Sequence, residues 1–171
     1  MLSVEDFRWD DFFWTADVVV EDARLASGAV RMVFAPEGRG TGPLAADELE
    51  LLHVAESTLD LVTALAVTAI YDQYPSLQLA YDFDDDDKAA YMPDINSVEE
   101  IYDLVSVVGV NVHQVSREGL PYVGIEFATR WDPEHGAGVL VNGERVVEVG
   151  GAETAILLWI AERDLEAGAA S

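Results

Sequence analysis

Apolar and polar residues alternate along several short stretches of this 171-residue chain, and one longer stretch follows a helical spacing instead. From Phe12 to Val20, the side chains of Phe12, Trp14, Ala16, Val18 and Val20 share one face, with Thr15 and Asp17 opposite. Val30, Met32 and Phe34 repeat the pattern over residues 28–35, and the intervening EDARLAS is short enough to join antiparallel neighbours. Val108, Val110 and Val112 alternate with Gly109, Asn111 and His113 in a third run. The stretch from Tyr122 to Gly151 reads as three consecutive strands. Val123, Ile125, Phe127 and Trp131 lie on one face of the first, with Glu126 and Arg130 on the other. Arg117-Glu118-Gly119 turns the chain into this meander, and Asn142-Gly143 has the residue types of a type I′ hairpin turn. Strands are therefore expected near 11–20, 28–35, 107–116, 121–131, 137–142 and 144–149.

Leu49, Leu52, Leu59, Val62, Ala66 and Ile70 recur at three- and four-residue steps, which predicts one long helix over 46–74. Asp47 with Glu50 supplies a start signal, and Pro75 is expected to end the helix near Tyr74. Ser97 and Glu100 form a capping box for a short helix over 97–105. A closing helix follows Gly150-Gly151, with Ile156 and Ile160 toward the core and Trp159 beside them, and the tail 166–171 is expected to fray. The fold class that results is α+β. It is a single domain over 1–171, with an antiparallel sheet of about six strands packed against one long helix and shorter helices. The glycine-rich segment 36–42 contains neither GxGxxG nor GxxxxGK and reads as a connector.

Charge changes the picture. The chain has 33 acidic residues against 9 basic ones, a formal net charge of -24. Such a field repels nucleic acid and anionic membranes and attracts basic proteins and cations. Solubility, or adaptation to a salt-rich cytoplasm, is the competing explanation. No cysteine is present, so there is no disulfide framework and no thiol chemistry. The acidic N-terminus lacks the positive region of a signal peptide, and no run of about 18 apolar residues exists, so a cytoplasmic location is expected.

Catalytic motifs are missing. The three histidines, His53, His113 and His135, show neither HExxH nor HxxxH spacing, and GxSxG is absent. The acidic run Asp82, Asp84, Asp85, Asp86 and Asp87 reads as a solvated loop. As a calcium loop starting at Asp82 it would need glycine where Asp87 stands and glutamate where Pro93 stands. The compact cluster is WDPEHG, with Asp132, Glu134 and His135. A small site in which carboxylates tune an imidazole is one reading. A turn is the other: Asp132 accepts backbone N–H groups, Pro133 presets φ and Gly136 takes a positive φ. The expected outcome is a structural role for Trp131 and Gly136, with Glu134 and His135 exposed at the end of the sheet. No cofactor and no metal are expected.

Five pieces carry a likeness: YPSL (74–77), YMPDINSVEE (91–100), GIEFATRWDPEHGAGV (124–139), RVVEVGGAET (145–154) and WIAERDL (159–165). Together, from Tyr74 to Leu165, they resemble a bacterial domain family of unknown function whose turn usually reads WDEEHGLGV. Pro133 and Ala137 depart from that pattern here. The N-terminal half is similar in layout alone. Members of that family are suspected immunity proteins of toxin systems, so the resemblance implies a binding role and carries over no catalytic residue. The leading expectation is a non-enzymatic acidic protein that masks a basic partner such as a toxin nuclease. Its interface candidates are Asp82, Asp84, Asp85, Asp86, Asp87, Asp132, Glu134 and His135. The alternatives are a small-ligand or hydrolytic domain using the Asp132–His135 turn with His113 or His53, and a housekeeping domain with a salt-adapted surface.

Overall fold

A computed structural model of the chain describes residues 1–169. Seven strands form one sheet in chain order: β1 (Arg8–Trp9), β2 (Trp14–Val19), β3 (Ala29–Phe34), β4 (Val105–Arg117), β5 (Leu120–Thr129), β6 (Ala137–Asn142) and β7 (Arg145–Gly150). The expected α+β class with a mostly antiparallel sheet holds. The sheet has a seventh strand, the two-residue β1, and one pair, β3 with β4, is parallel. A parallel neighbour requires a crossover. Here the crossover is the whole helical segment between Phe34 and Val105, which leaves no local trace in either strand.

That segment contains α1 (Ala46–Ser57), α2 (Leu59–Tyr81), α3 (Asp85–Tyr91) and a 3₁₀ turn at Val98–Asp103. The single helix expected over 46–74 is two helices meeting at 62°. The bend falls at Ser57-Thr58, where both hydroxyls donate to the Val54 carbonyl, at 2.9 and 2.8 Å. Such side-chain bonds compete with the backbone ladder. Glu48, rather than the Asp47–Glu50 pair, reaches back to the chain before α1: its carboxylate accepts from the Ala45 amide at 2.7 Å.

Pro75 lies inside α2, which runs on to Tyr81, contrary to the expected stop at Tyr74. Tertiary anchors hold the turns after the proline. Tyr74 is buried, packs edge-on against Trp131 at 5.6 Å and donates to the Pro93 carbonyl, while Tyr81 donates to Asp132. Of the predicted stripe, Leu52, Leu59, Val62, Ala66 and Ile70 are buried, and Leu49 packs half-buried against the same core.

Two β details shift side chains. A bulge between Val107 and Gly109 turns Val107 and Val110 toward the helices and leaves Val108 exposed. The expected Asn142-Gly143 turn sits one residue later: Asn142 pairs with Arg145 inside the sheet, and Gly143 and Glu144 form the loop. Only Gly143 has positive φ, the sign pattern of type II′. The I′ pattern occurs at Glu118-Gly119, both with positive φ. Phe12, expected on the buried face, is exposed in the β1–β2 loop.

The opposite face of the sheet is half covered. The closing helix is broken at Leu157 into α4 (Glu153–Ile156) and α5 (Leu158–Ala169). Ile160 is buried as expected, against Tyr122 and Leu140, whereas Ile156 and Trp159 are exposed. Asp164 fastens α5 by accepting from Tyr122 and, bidentately, from Arg145 at 2.9 and 2.6 Å. Residues 166–169 of the predicted frayed tail continue α5, and the last two lie outside the described residues. No single helix among the described residues is long and apolar enough to cross a membrane.

Candidate functional site

The WDPEHG segment leaves the end of β5 and folds into a tight turn. Trp131 is 5% exposed. Asp132 Oδ1 accepts from the His135 amide, and the Gly136 amide donates to the Asp132 carbonyl at 2.8 Å. Gly136 has φ +65°, and a Cβ there would overlap the Phe127 carbonyl oxygen. The roles expected of Asp132 and Gly136 in the turn are filled.

The turn is also wired to α2. Asp132 Oδ2 accepts from the Tyr81 hydroxyl at 2.7 Å, and Oδ1 faces His135 Nδ1 at 2.9 Å. The tyrosine bond, then the histidine, hold the Asp132 carboxyl below the usual carboxylate range. The Asp132 carboxylate in turn raises the His135 pKa, while burial and the bond to Asp132 push the Tyr81 hydroxyl up to about 12. A cleft of about 330 Å³ lies beside these groups, walled by Ile70, Leu77, Trp131 and Val149, with Glu153 at its edge. His135 and Glu134 are exposed, as expected.

The acidic run has a different structure from the loop expected of it. Asp82 takes a left-handed conformation that ends α2, and Asp84 caps α3 by accepting from the Asp87 amide at 2.9 Å. Asp85, Asp86 and Asp87 form the first turn of α3, where the helix dipole favours negative charge. These aspartates are exposed. Among the described residues, no group of three or more metal-ligating side chains converges.

The three histidines stay apart. His53 Nε2 donates to the Leu2 carbonyl at 2.6 Å, and His113 lies buried on the other side of the sheet, 3.1 Å from the Ala155 carbonyl. Burial lowers the His113 pKa. Around His113 is a feature that sequence reasoning missed: a groove of about 380 Å³ between the β3–β4 surface and the α4–α5 junction. Its walls include Phe13, Val33 and Leu157; its polar groups include Asn111, His113 and Glu126. Asn111 donates to Glu126 Oε1 at 2.6 Å, and Gly109 leaves the space that the Glu126 carboxylate fills. The signal was present in the alternation, which put Asn111, His113 and Glu126 on the non-core side of their strands. Nothing local showed that α4 would cover only part of that side.

One family model matches residues 16–157, from β2 to the break between α4 and α5; its description is domain of unknown function, DUF6985. The chain belongs to the DUF6985 family. The match reaches well into the N-terminal half, beyond the Tyr74–Leu165 span that carries the resemblance. It takes in the WDPEHG turn, α3 and most of the groove, leaving out Phe13 and Leu158 of its lining. Comparisons with curated proteins and with solved structures each found no match.

Proposed function

We propose that this DUF6985 domain is a non-enzymatic binding protein whose acidic surface receives a basic protein, the finer reading being an immunity-type protein that masks a toxin. The observation that carries this is the disposition of the nine basic side chains. Seven are already held by carboxylates of the chain: Arg8 by Asp17, Arg24 by Asp22 and Glu99, Arg39 by Glu48, Lys88 by Asp94, Arg117 and Arg145 by Asp164, and Arg163 by Glu148. The outward field is therefore set by the remaining acids, including those of α3. A field of one sign speeds encounter with a partner of the other and penalises nucleic acid.

The geometry gives less to a hydrolytic or small-ligand reading at the Asp132–His135 turn, because His53 and His113 lie elsewhere and His135 is committed to Asp132. The test is a low-salt pull-down from the native host, followed by stopped-flow association with the retained protein. Raising salt to physiological strength should slow association by about tenfold or more. A retained partner without basic character, an association rate blind to salt, or direct binding to DNA or RNA overturns the proposal.

A further inference from the structure

The groove on the half-covered face of the sheet has a composition of its own. Glu126 stands half-buried on its floor, and Glu37 lines its rim. Neither lysine nor arginine is among its lining residues. Asn111, itself 8% exposed, engages one oxygen of Glu126; among the described residues no donor is bonded to the other, Oε2. Around this carboxylate the walls are apolar: Phe13, Val33 and Leu157, the last 37% exposed. His113 contributes its ring as a neutral surface, since burial disfavours its charged form.

The volume, about 380 Å³, falls in the lower range of ligand pockets. A group that fits such a place has an apolar stem and a cationic, hydrogen-bond-donating head. Arginine meets both requirements. Its methylenes pack on apolar walls, its planar head tolerates partial desolvation better than an ammonium does, and Phe13 offers a ring face. The charge is complementary, and Asn111 fixes the carboxylate in advance, which lowers the ordering cost of binding.

We infer that this groove is the anchor site for an arginine side chain of the basic partner, with Glu126 as the carboxylate that receives the guanidinium. The inference rests on the preceding reading of the acidic surface and names the point on the domain where the partner is gripped.

The experiment is an amide-resolved NMR titration of the full chain with N-acetyl-arginine amide, alongside the isosteric but neutral N-acetyl-citrulline amide. Arginine should give saturable shifts in β4, β5 and the α4–α5 junction, citrulline should bind at least tenfold more weakly, and Glu126→Gln should weaken arginine by tenfold or more. Glu126→Gln keeps an acceptor for Asn111, and an unchanged amide spectrum elsewhere verifies its fold. Glu50→Gln, exposed on α1, is the control and should leave arginine binding unchanged. Equal binding of the two probes, shifts confined to α3 and unaffected by Glu126→Gln, or no saturable shift up to about 50 mM overturns the inference. The salt test above does not involve Glu126. Failure of the groove therefore leaves the acidic-surface reading standing, and a salt-blind association rate removes that reading whatever the arginine probe does.

Discussion

Gly124 is the position where one added methyl group should do most damage. It lies in the middle of β5, and on the face opposite the helices α1 and α2 the main chain of α4 rests directly on it. A Cβ built there would overlap the Ala155 carbonyl oxygen and lie 2.6 Å from both the carbonyl carbon and Cα of Ala155. Gly138, on the neighbouring strand, is similarly crowded: a Cβ there would lie 2.9 Å from the Ala155 amide nitrogen. The obstacle is backbone and cannot rotate aside, so Gly124→Ala must lift α4 or bend the sheet. Lifting α4 also separates the buried His113 from the carbonyl it bonds. Overpacking of this kind costs about 1–3 kcal/mol, and the rigid obstacle points to the upper end, about 3 kcal/mol. For a chain of this size that is a fall in Tm of about 6–12 °C. The assay is thermal and urea unfolding followed by circular dichroism. Gly28→Ala is the control, because a Cβ there meets nothing within 4 Å; its effect should stay within about 0.5 kcal/mol. A Gly124→Ala shift under about 2 °C, or one equal to that of the control, refutes the reasoning.

Trp131→Ala should cost about 3–5 kcal/mol in unfolding experiments, since the ring is buried against Tyr74, whereas His135→Ala and Glu134→Gln should leave both Tm and partner binding nearly unchanged. His135, followed by NMR against pH, should titrate above its ordinary value of 6.5, and Asp132→Asn should bring it back. Because the folded pKa is raised, the stabilisation from this pair is fully present below the unfolded pKa and is lost as pH rises through the folded one. In Asp132→Asn that slope should flatten. Added sodium chloride should raise Tm at fixed pH, because most of the 33 carboxylates repel one another while seven of the nine cations are already paired; a Tm that falls with salt contradicts this.

The strand period was legible wherever one face is buried. Val30, Met32 and Phe34, and then Val123, Ile125, Phe127 and Trp131, point into the core as their spacing demands. The roles of Asp132 and Gly136 in the turn were legible too, because turn chemistry is local. What escaped was set at a distance. The parallel β3–β4 pairing is decided by a crossover rather than by either strand. The continuation of α2 through Pro75 depends on Tyr74 and Tyr81 finding partners on Pro93 and Asp132. The exposure of Val108 follows from a bulge, and that of Ile156 from a break at Leu157, neither of which has a signature in its own few residues. The groove escaped for the same reason, since its lining comes from five separate parts of the chain.

The acidity of this domain admits two explanations, and the arginine titration at Glu126 would separate them. A surface adapted to salt, or tuned for solubility, places carboxylates where water solvates them fully, as on the first turn of α3. That explanation gives no particular role to a carboxylate half-buried between apolar walls, held by a single amide from Asn111 in a space that Gly109 keeps open. Within the chain, one hydrogen bond is made to this carboxylate, from Asn111 to Oε1. A cationic side chain arriving on a partner would restore both the second hydrogen bond and the counter-charge. On the proposed reading, general acidity brings the basic protein near, and this one carboxylate gives it a place to hold.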